Sequence, residues 1–177
     1  MQKFIEQECF TMKKLLAFGV AALLVFTLAG CGAPENRILE DDLETVLEDI
    51  YDYDGLSEDA QSFVSGLAVE EVSADEAEFH LGKDGLDFDR AIASVPSLGT
   101  SPFELTLVRT ERGQDVEALK NEINDSIDPW KWVSFGVEDE NVVVDNIGDV
   151  VVIIMSDNYA HELHEAFLDL EPEDPQD

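Results

Sequence analysis

The chain is poor in cysteine and in basic residues. Of its 177 residues, two are cysteines, Cys9 and Cys31, and ten are lysine or arginine, against 41 aspartates and glutamates. After Cys31 there is no further cysteine, so a hydrophobic core must stabilise the fold without disulfides. The formal net charge of −31 argues against nucleic acid as a partner, and against direct contact with anionic lipid headgroups.

The familiar catalytic motifs are also missing. The sequence has no Gly-x-Ser-x-Gly, no glycine-rich phosphate loop with lysine, no Cys-x-x-Cys and no Ser-x-x-Lys. An EF-hand aligned on Gly55 would put Ile50 at its first ligand position, and residues 84–89 (DGLDFD) lack the required glycine placement. We therefore predict no catalytic residue and no cofactor, with weak binding of a divalent cation by the many carboxylates as an alternative.

The N-terminal region has the order of features found in secreted proteins. Lys13 and Lys14 precede an apolar run over residues 15–28, which is shorter than the roughly 20 residues of a membrane-spanning helix. The run ends in Leu28-Ala29-Gly30-Cys31, which resembles the lipobox of bacterial lipoproteins. The resemblance implies that residues 1–30 are a cleaved signal peptide and that Cys31 carries the lipid. An ordinary signal peptide with an incidental cysteine and a transmembrane anchor are the alternatives.

These features predict the domain organisation. Glu6 and Glu8 are unusual upstream of a signal peptide, so we expect translation to start at Met12 rather than at Met1. We expect a lipidated tether over residues 31–36, one domain over 37–170 and a disordered acidic tail over 171–177. Lipid on Cys31 would place the domain at the extracytoplasmic face of the cell membrane.

Hydrophobic periodicity predicts an α+β domain. We expect helices over residues 39–50, 88–95, 116–127 and 159–170, and strands over 77–81 and 103–107. Two β-branched runs over residues 141–145 and 150–155, joined by Asn146-Ile147-Gly148-Asp149, predict a hairpin. This order favours a small antiparallel or mixed sheet with helices packed on one face.

The second half of the chain resembles a group of small, uncharacterised lipoproteins of Gram-positive bacteria. The residues that carry the resemblance are SPFELTLVRTERGQDVEALKNEINDSIDPWKW and GVEDENVVVDNIGDVVVIIM, between Ser101 and Met155. The resemblance implies a single α+β domain and agrees with the lipobox. It implies no activity and transfers no catalytic residue.

Three small sets of residues are candidates for binding. His161, His164 and Glu165 share a helix face at a spacing that could hold a transition metal, or they form a polar flank. Trp130 and Trp132 could stack a ligand or could plug the core. The third set consists of Arg109 and Arg112.

The two arginines flank a strand-to-helix turn in a very acidic chain. They could receive an anion or the carboxylate of a partner, or they could neutralise neighbouring acids. Taken together, the sequence favours a non-enzymatic binding or accessory lipoprotein with an envelope protein as its partner. A small-ligand or divalent-cation-binding lipoprotein is the alternative, and a hydrolase is the least favoured class.

Overall fold

A computed structural model of the chain describes residues 39–98 and 101–171, which belong to one compact unit. The predicted signal peptide, the lipidation of Cys31, the tether and tail residues 172–177 lie outside the described residues. Within the described ranges, no helix has the length and apolar character needed to cross a bilayer. The elements are α1 (Leu43–Tyr51), α2 (Glu58–Val64), β1 (Leu67–Glu71), α3 (Ala77–Leu81), β2 (Arg90–Pro96), β3 (Glu104–Arg109), α4 (Val116–Ser126), β4 (Val142–Ile147), β5 (Val150–Met155) and α5 (Ala160–Leu168).

Five strands form one antiparallel sheet in the order β1-β2-β3-β5-β4, which confirms the α+β fold. Strand β3 lies at the centre, where Leu105 pairs with Ser94 of β2 and with Ile154 of β5. All six residues of β3 and all six of β5 are buried, so both faces of the central sheet are covered. The expectation that helices cover one face is therefore wrong. Long apolar runs such as that of β5 are typical of strands buried on both sides.

The first helical layer packs against one face of the sheet. Helices α1, α2 and α5 direct buried residues at helical spacing toward it, as in Leu43, Val46, Leu47 and Ile50 of α1. The side chains that receive these helices alternate along the strands: Ile92, Leu105, Leu107, Ile147, Val150, Val152 and Ile154. The acidic residues between the apolar positions remain on the outer side of α1, which keeps this layer solvated.

The second helical layer covers the opposite face with α3 and α4. Leu81 of α3 and Leu119 and Ile123 of α4 belong to this cluster. They pack against the strand side chains that point to this second face: Ala91, Ala93, Val108, Val151, Ile153 and Met155. Because both alternate sets are buried, polar residues on β3 cannot reach solvent and need partners inside the protein.

Two element predictions were wrong, and helix α2 and strand β1 were missed. Residues 77–81 form helix α3 rather than a strand, because a capping box between Ser73 and Glu76 starts the turn and Gly82 ends it at φ +82°. A Cβ at Gly82 would collide with the backbone of Ser126, so α3 ends against the end of α4. Residues 90–96 form strand β2 rather than a helix, since they pair with both β1 and β3. Strand β1 is an edge strand with mostly exposed side chains, so it has no apolar pattern to reveal it.

The remaining element predictions are confirmed. Helices α1, α4 and α5, strand β3 and the β4–β5 hairpin lie where periodicity placed them, except that α1 begins at Leu43 rather than at residue 39 and β4 continues through Ile147. Asp42 and Asp115 cap α1 and α4 by accepting hydrogen bonds from backbone amides. Ser156 does not cap α5 directly, because its Oγ accepts from the amide of Tyr159, 3.1 Å away, before the helix begins at Ala160.

Candidate functional site

Buried polar clusters lie at the two ends of strand β3. At one end, which we call the Glu104 end, β3 begins, β5 ends at Met155 and β4 begins at Val142. At the other, the Arg109 end, β3 stops and β5 begins at Val150. The sheet therefore separates the two clusters by the length of its central strand.

The Glu104 carboxylate is the centre of the first cluster and is completely buried. Its Oε1 accepts a hydrogen bond from the Thr106 hydroxyl at 2.8 Å and lies 3.0 Å from Nδ1 of His80. Its Oε2 lies 2.7 Å from Nζ of Lys131, whose side chain is 5% exposed. An ionised carboxylate only accepts hydrogen bonds, so the proton of the His80 ring belongs on Nδ1. The cluster thus joins α3, β3 and the segment that follows α4.

The environment sets the charge state of this cluster. Burial alone would raise the pKa of Glu104, but the hydrogen bond from His80 and the charge of Lys131 outweigh it and hold the pKa below its usual value. Burial lowers the pKa of Lys131, and the attraction of Glu104 offsets that effect only in part. His80 and Lys131 both stabilise the ionised form of Glu104, whereas the charged form of Lys131 is stabilised by Glu104 and by the charge of Asp128. We therefore assign a carboxylate–ammonium pair at neutral pH.

Lys131 also fixes the loop that carries it, residues 128–137, which we call the Trp130 loop. Its Nζ donates a hydrogen bond to the backbone oxygen of Phe79 at 2.9 Å and lies 4.5 Å from the centre of the Phe79 ring. Within the loop, the amide of Val137 donates to the oxygen of Pro129 at 2.9 Å. One ammonium group therefore ties the Trp130 loop to both α3 and β3.

The two tryptophans of the loop have different environments. Trp132 is partly buried against the second layer, and the centre of its ring lies 5.2 Å from Nζ of Lys131. This position agrees with a tryptophan that packs against the core. Trp130 is 60% exposed, and Val133 beyond it is 88% exposed. The two side chains therefore lie in different environments, one against the core and one at the surface. Trp130 alone of the pair presents a large apolar surface to solvent.

The candidate metal residues are not brought together. His164 Nε2 lies 2.8 Å from the carboxylate of Asp145 on β4, whereas His161 is 85% exposed beside Glu165. Across residues 39–98 and 101–171, no group of three histidine, cysteine or acidic side chains is arranged to hold a metal ion. In this arrangement His164 fastens α5 to the edge strand.

Arg109 is buried and binds its own chain. It donates hydrogen bonds to the backbone oxygens of Leu39 at 2.8 Å and Asp41 at 2.7 Å, and it forms an ion pair with Asp149 at 3.3 Å. It therefore holds the segment that leads into α1 against the sheet rather than facing an external anion. Arg112 is exposed in the turn that follows β3, so the two arginines do not form one binding site.

Sequence reasoning missed His80, Glu104 and Lys131. His80 and Glu104 fall at polar positions of the two predicted strands over residues 77–81 and 103–107, but α3 is a helix and β3 is buried on both faces. Two signals pointed to the cluster: Lys131 is a rare base between two tryptophans, and Glu104 interrupts an apolar run. Neither signal identifies the partner, because the pairing spans distant parts of the chain.

The cluster suits a structural role better than catalysis. Catalysis needs a group that reaches the substrate, whereas Glu104, His80 and the Lys131 side chain are enclosed. Its visible consequence is the fixed position of the exposed Trp130 loop. Comparison of the chain with protein-family models, with curated proteins and with solved structures finds no match.

Proposed function

We propose that this chain is a non-enzymatic, lipid-anchored domain that binds a protein partner at the outer face of the cell membrane. The lipobox-like Leu28-Ala29-Gly30-Cys31 supports the anchor. One structural observation carries the proposal: buried Arg109 grips the backbone at Leu39 and Asp41, at the end of the sheet opposite the Trp130 loop. The chain thus enters the domain at one end and presents an exposed tryptophan at the other.

The length of the tether and of strand β3 would let the Trp130 loop lie away from the membrane surface. Eight residue steps separate Cys31 from Leu39, a span of at most about 30 Å when extended. The six residues of β3 add about 20 Å between the Arg109 end and the Glu104 end. A tether that enters at the Arg109 end allows the Trp130 loop to point away from the lipid, and the strong negative charge of the domain opposes close contact with anionic headgroups. The loop would then face other proteins of the envelope.

The anchor is tested by replacing the proposed attachment atom. Cys31→Ala should move the protein from the detergent phase to the aqueous phase, or leave an uncleaved precursor, because two acyl chains contribute about 0.8 kcal/mol per buried methylene. Unchanged detergent partitioning of a correctly cleaved chain would contradict the anchor.

Partner binding needs a separate experiment. Crosslinking in intact membranes, followed by recovery of the protein, should capture a specific envelope protein that is lost when Trp130 is replaced by alanine. A matched Leu168→Ala variant, which alters an exposed apolar residue of α5, should retain the crosslink. If the full chain and Trp130→Ala give the same products, the proposed binding function is wrong.

A further inference from the structure

The exposed surface around Trp130 combines apolar and acidic side chains. Trp130 and Val133 form its apolar part, and Asp128 lies beside them in the sequence. The turn that follows supplies three more exposed carboxylates, from Glu138, Asp139 and Glu140. We call these six residues the Trp130 surface. The charge of Lys131, the lysine within this stretch, is buried against Glu104 and is also attracted by Asp128, so Glu138, Asp139 and Glu140 supply most of the exposed negative charge of the surface.

Contacts with neighbouring residues hold the Trp130 surface in place. Gly136 lies directly under the indole, since a Cβ at Gly136 would come within 2.6 Å of Trp130 Cδ2. The Asp157 carboxylate accepts hydrogen bonds from the amide of Glu138 at 2.9 Å and from the Asn141 side chain at 3.0 Å. Together with the Lys131–Glu104 pair, these contacts fix both the tryptophan and the acidic turn. A surface fixed before binding loses little entropy when a partner arrives.

We propose that the Trp130 surface is the docking site for a basic, arginine-containing segment of another envelope protein. This inference rests on the proposed binding function and names the chemistry of the partner. Charge complementarity selects the occupant, because arginine pairs with carboxylates in a bidentate manner and stacks on an indole face. Exposed tryptophan in a fixed position is typical of the residues that dominate binding energy at protein interfaces.

The same charges disfavour the two other occupants. A second copy of the chain would carry the same formal net charge of −31 and would be repelled. An anionic membrane surface would face the carboxylates of the acidic turn and would be repelled. A basic segment instead gains attraction from the whole domain as it approaches, and it gains specific contacts only at the Trp130 surface.

The test measures binding of a defined probe to the full chain in neutral detergent micelles. The probe is a fluorescein-labelled decapeptide of alternating arginine and leucine, and fluorescence anisotropy gives its Kd at several salt concentrations. Trp130→Ala should weaken binding about tenfold or more, as expected for loss of an interface tryptophan. The triple variant Glu138→Gln, Asp139→Asn, Glu140→Gln should do the same and should flatten the salt dependence.

A charge-matched control separates specific docking from attraction to an acidic protein. The control neutralises Glu48, Asp49 and Asp169, which are exposed on α1 and after α5 on the other layer of the domain. Retention of probe binding within about twofold in this control supports the proposal. Equal loss in both triple variants would overturn it, because binding would then follow net charge alone.

The remaining outcomes also decide between occupants. Co-sedimentation with phosphatidylglycerol vesicles, or self-association in sedimentation velocity, that is lost in Trp130→Ala would overturn the proposal in favour of a membrane or a second copy. The failures are distinguishable: specific probe binding by a chain that is not lipidated would refute the anchor and leave the docking site standing. A lipidated chain without specific probe binding would refute the docking site alone.

Discussion

Removing the positive charge of Lys131 should destabilise the domain strongly. Lys131→Met keeps the length of the side chain but leaves Glu104, which has no exposed surface, without its partner at 2.7 Å. Breaking a buried ion pair by removing one partner costs about 3–5 kcal/mol. His80 and Thr106 still hydrogen-bond the carboxylate, so we expect a loss near the lower limit, about 3 kcal/mol. For a domain of this size that corresponds to a midpoint lower by roughly 10 °C.

Urea unfolding followed by circular dichroism and tryptophan fluorescence measures this loss. The double variant Lys131→Met, Glu104→Gln should recover about 2 kcal/mol, because a neutral amide removes the uncompensated charge. Lys83→Met is the matched control: Lys83 pairs with Glu122 on the surface, and its loss should cost less than about 1 kcal/mol. If Lys131→Met costs no more than Lys83→Met, or if Glu104→Gln adds to the damage, the buried pair does not hold the loop as described.

Further predictions concern pH, Arg109, salt and zinc. The pKa values of Glu104 and Asp145 are lower in the folded state than in the unfolded state, so the stability that each carboxylate contributes should be full above about pH 5 and should be lost as acid protonates it. The difference in melting midpoint between the unaltered protein and Glu104→Gln should therefore shrink below about pH 5, and a difference that stays constant down to about pH 3 would contradict this. Arg109→Ala should lower the free energy of unfolding by about 3 kcal/mol and should speed protease cleavage near Leu39. Unchanged cleavage would show that Arg109 does not hold this segment against the sheet. Added sodium chloride should raise the melting midpoint by screening the net charge, and a lower midpoint would refute that repulsion. Added zinc should not raise the melting midpoint, since the His164 ring is paired with the Asp145 carboxylate. A rise of the midpoint with zinc that is lost in His164→Ala would show a metal site.

Much of the fold could be predicted from local patterns. Helix α4 follows from the spacing of Leu119 and Ile123 together with the capping Asp115, and the β4–β5 hairpin follows from two β-branched runs around a short turn. The prediction of a strand over residues 77–81 was wrong because two periods fit the same residues. Ala77, Phe79 and Leu81 fit a strand, while Ala77, His80 and Leu81 fit a helix equally well. The capping box before them decides in favour of the helix.

The site could not be predicted in the same way. Glu104 reads as the polar side of a half-buried strand, and its burial depends on α3 and the Trp130 loop covering the second face. Its partner Lys131 is 27 residues further along the chain, on a loop whose path no local pattern specifies. Arg109 stands out as a basic residue in an acidic chain, but its backbone partners at Leu39 and Asp41 are also distant in sequence. Long-range pairing of charges is decided by tertiary packing.

The intact mass of the protein extracted from membranes tests the lipid anchor most directly. The proposal predicts a chain that begins at Cys31 and carries the added mass of lipid on that residue. A chain that retains Met1 or Met12, or one cleaved near Cys31 without added lipid, would contradict it.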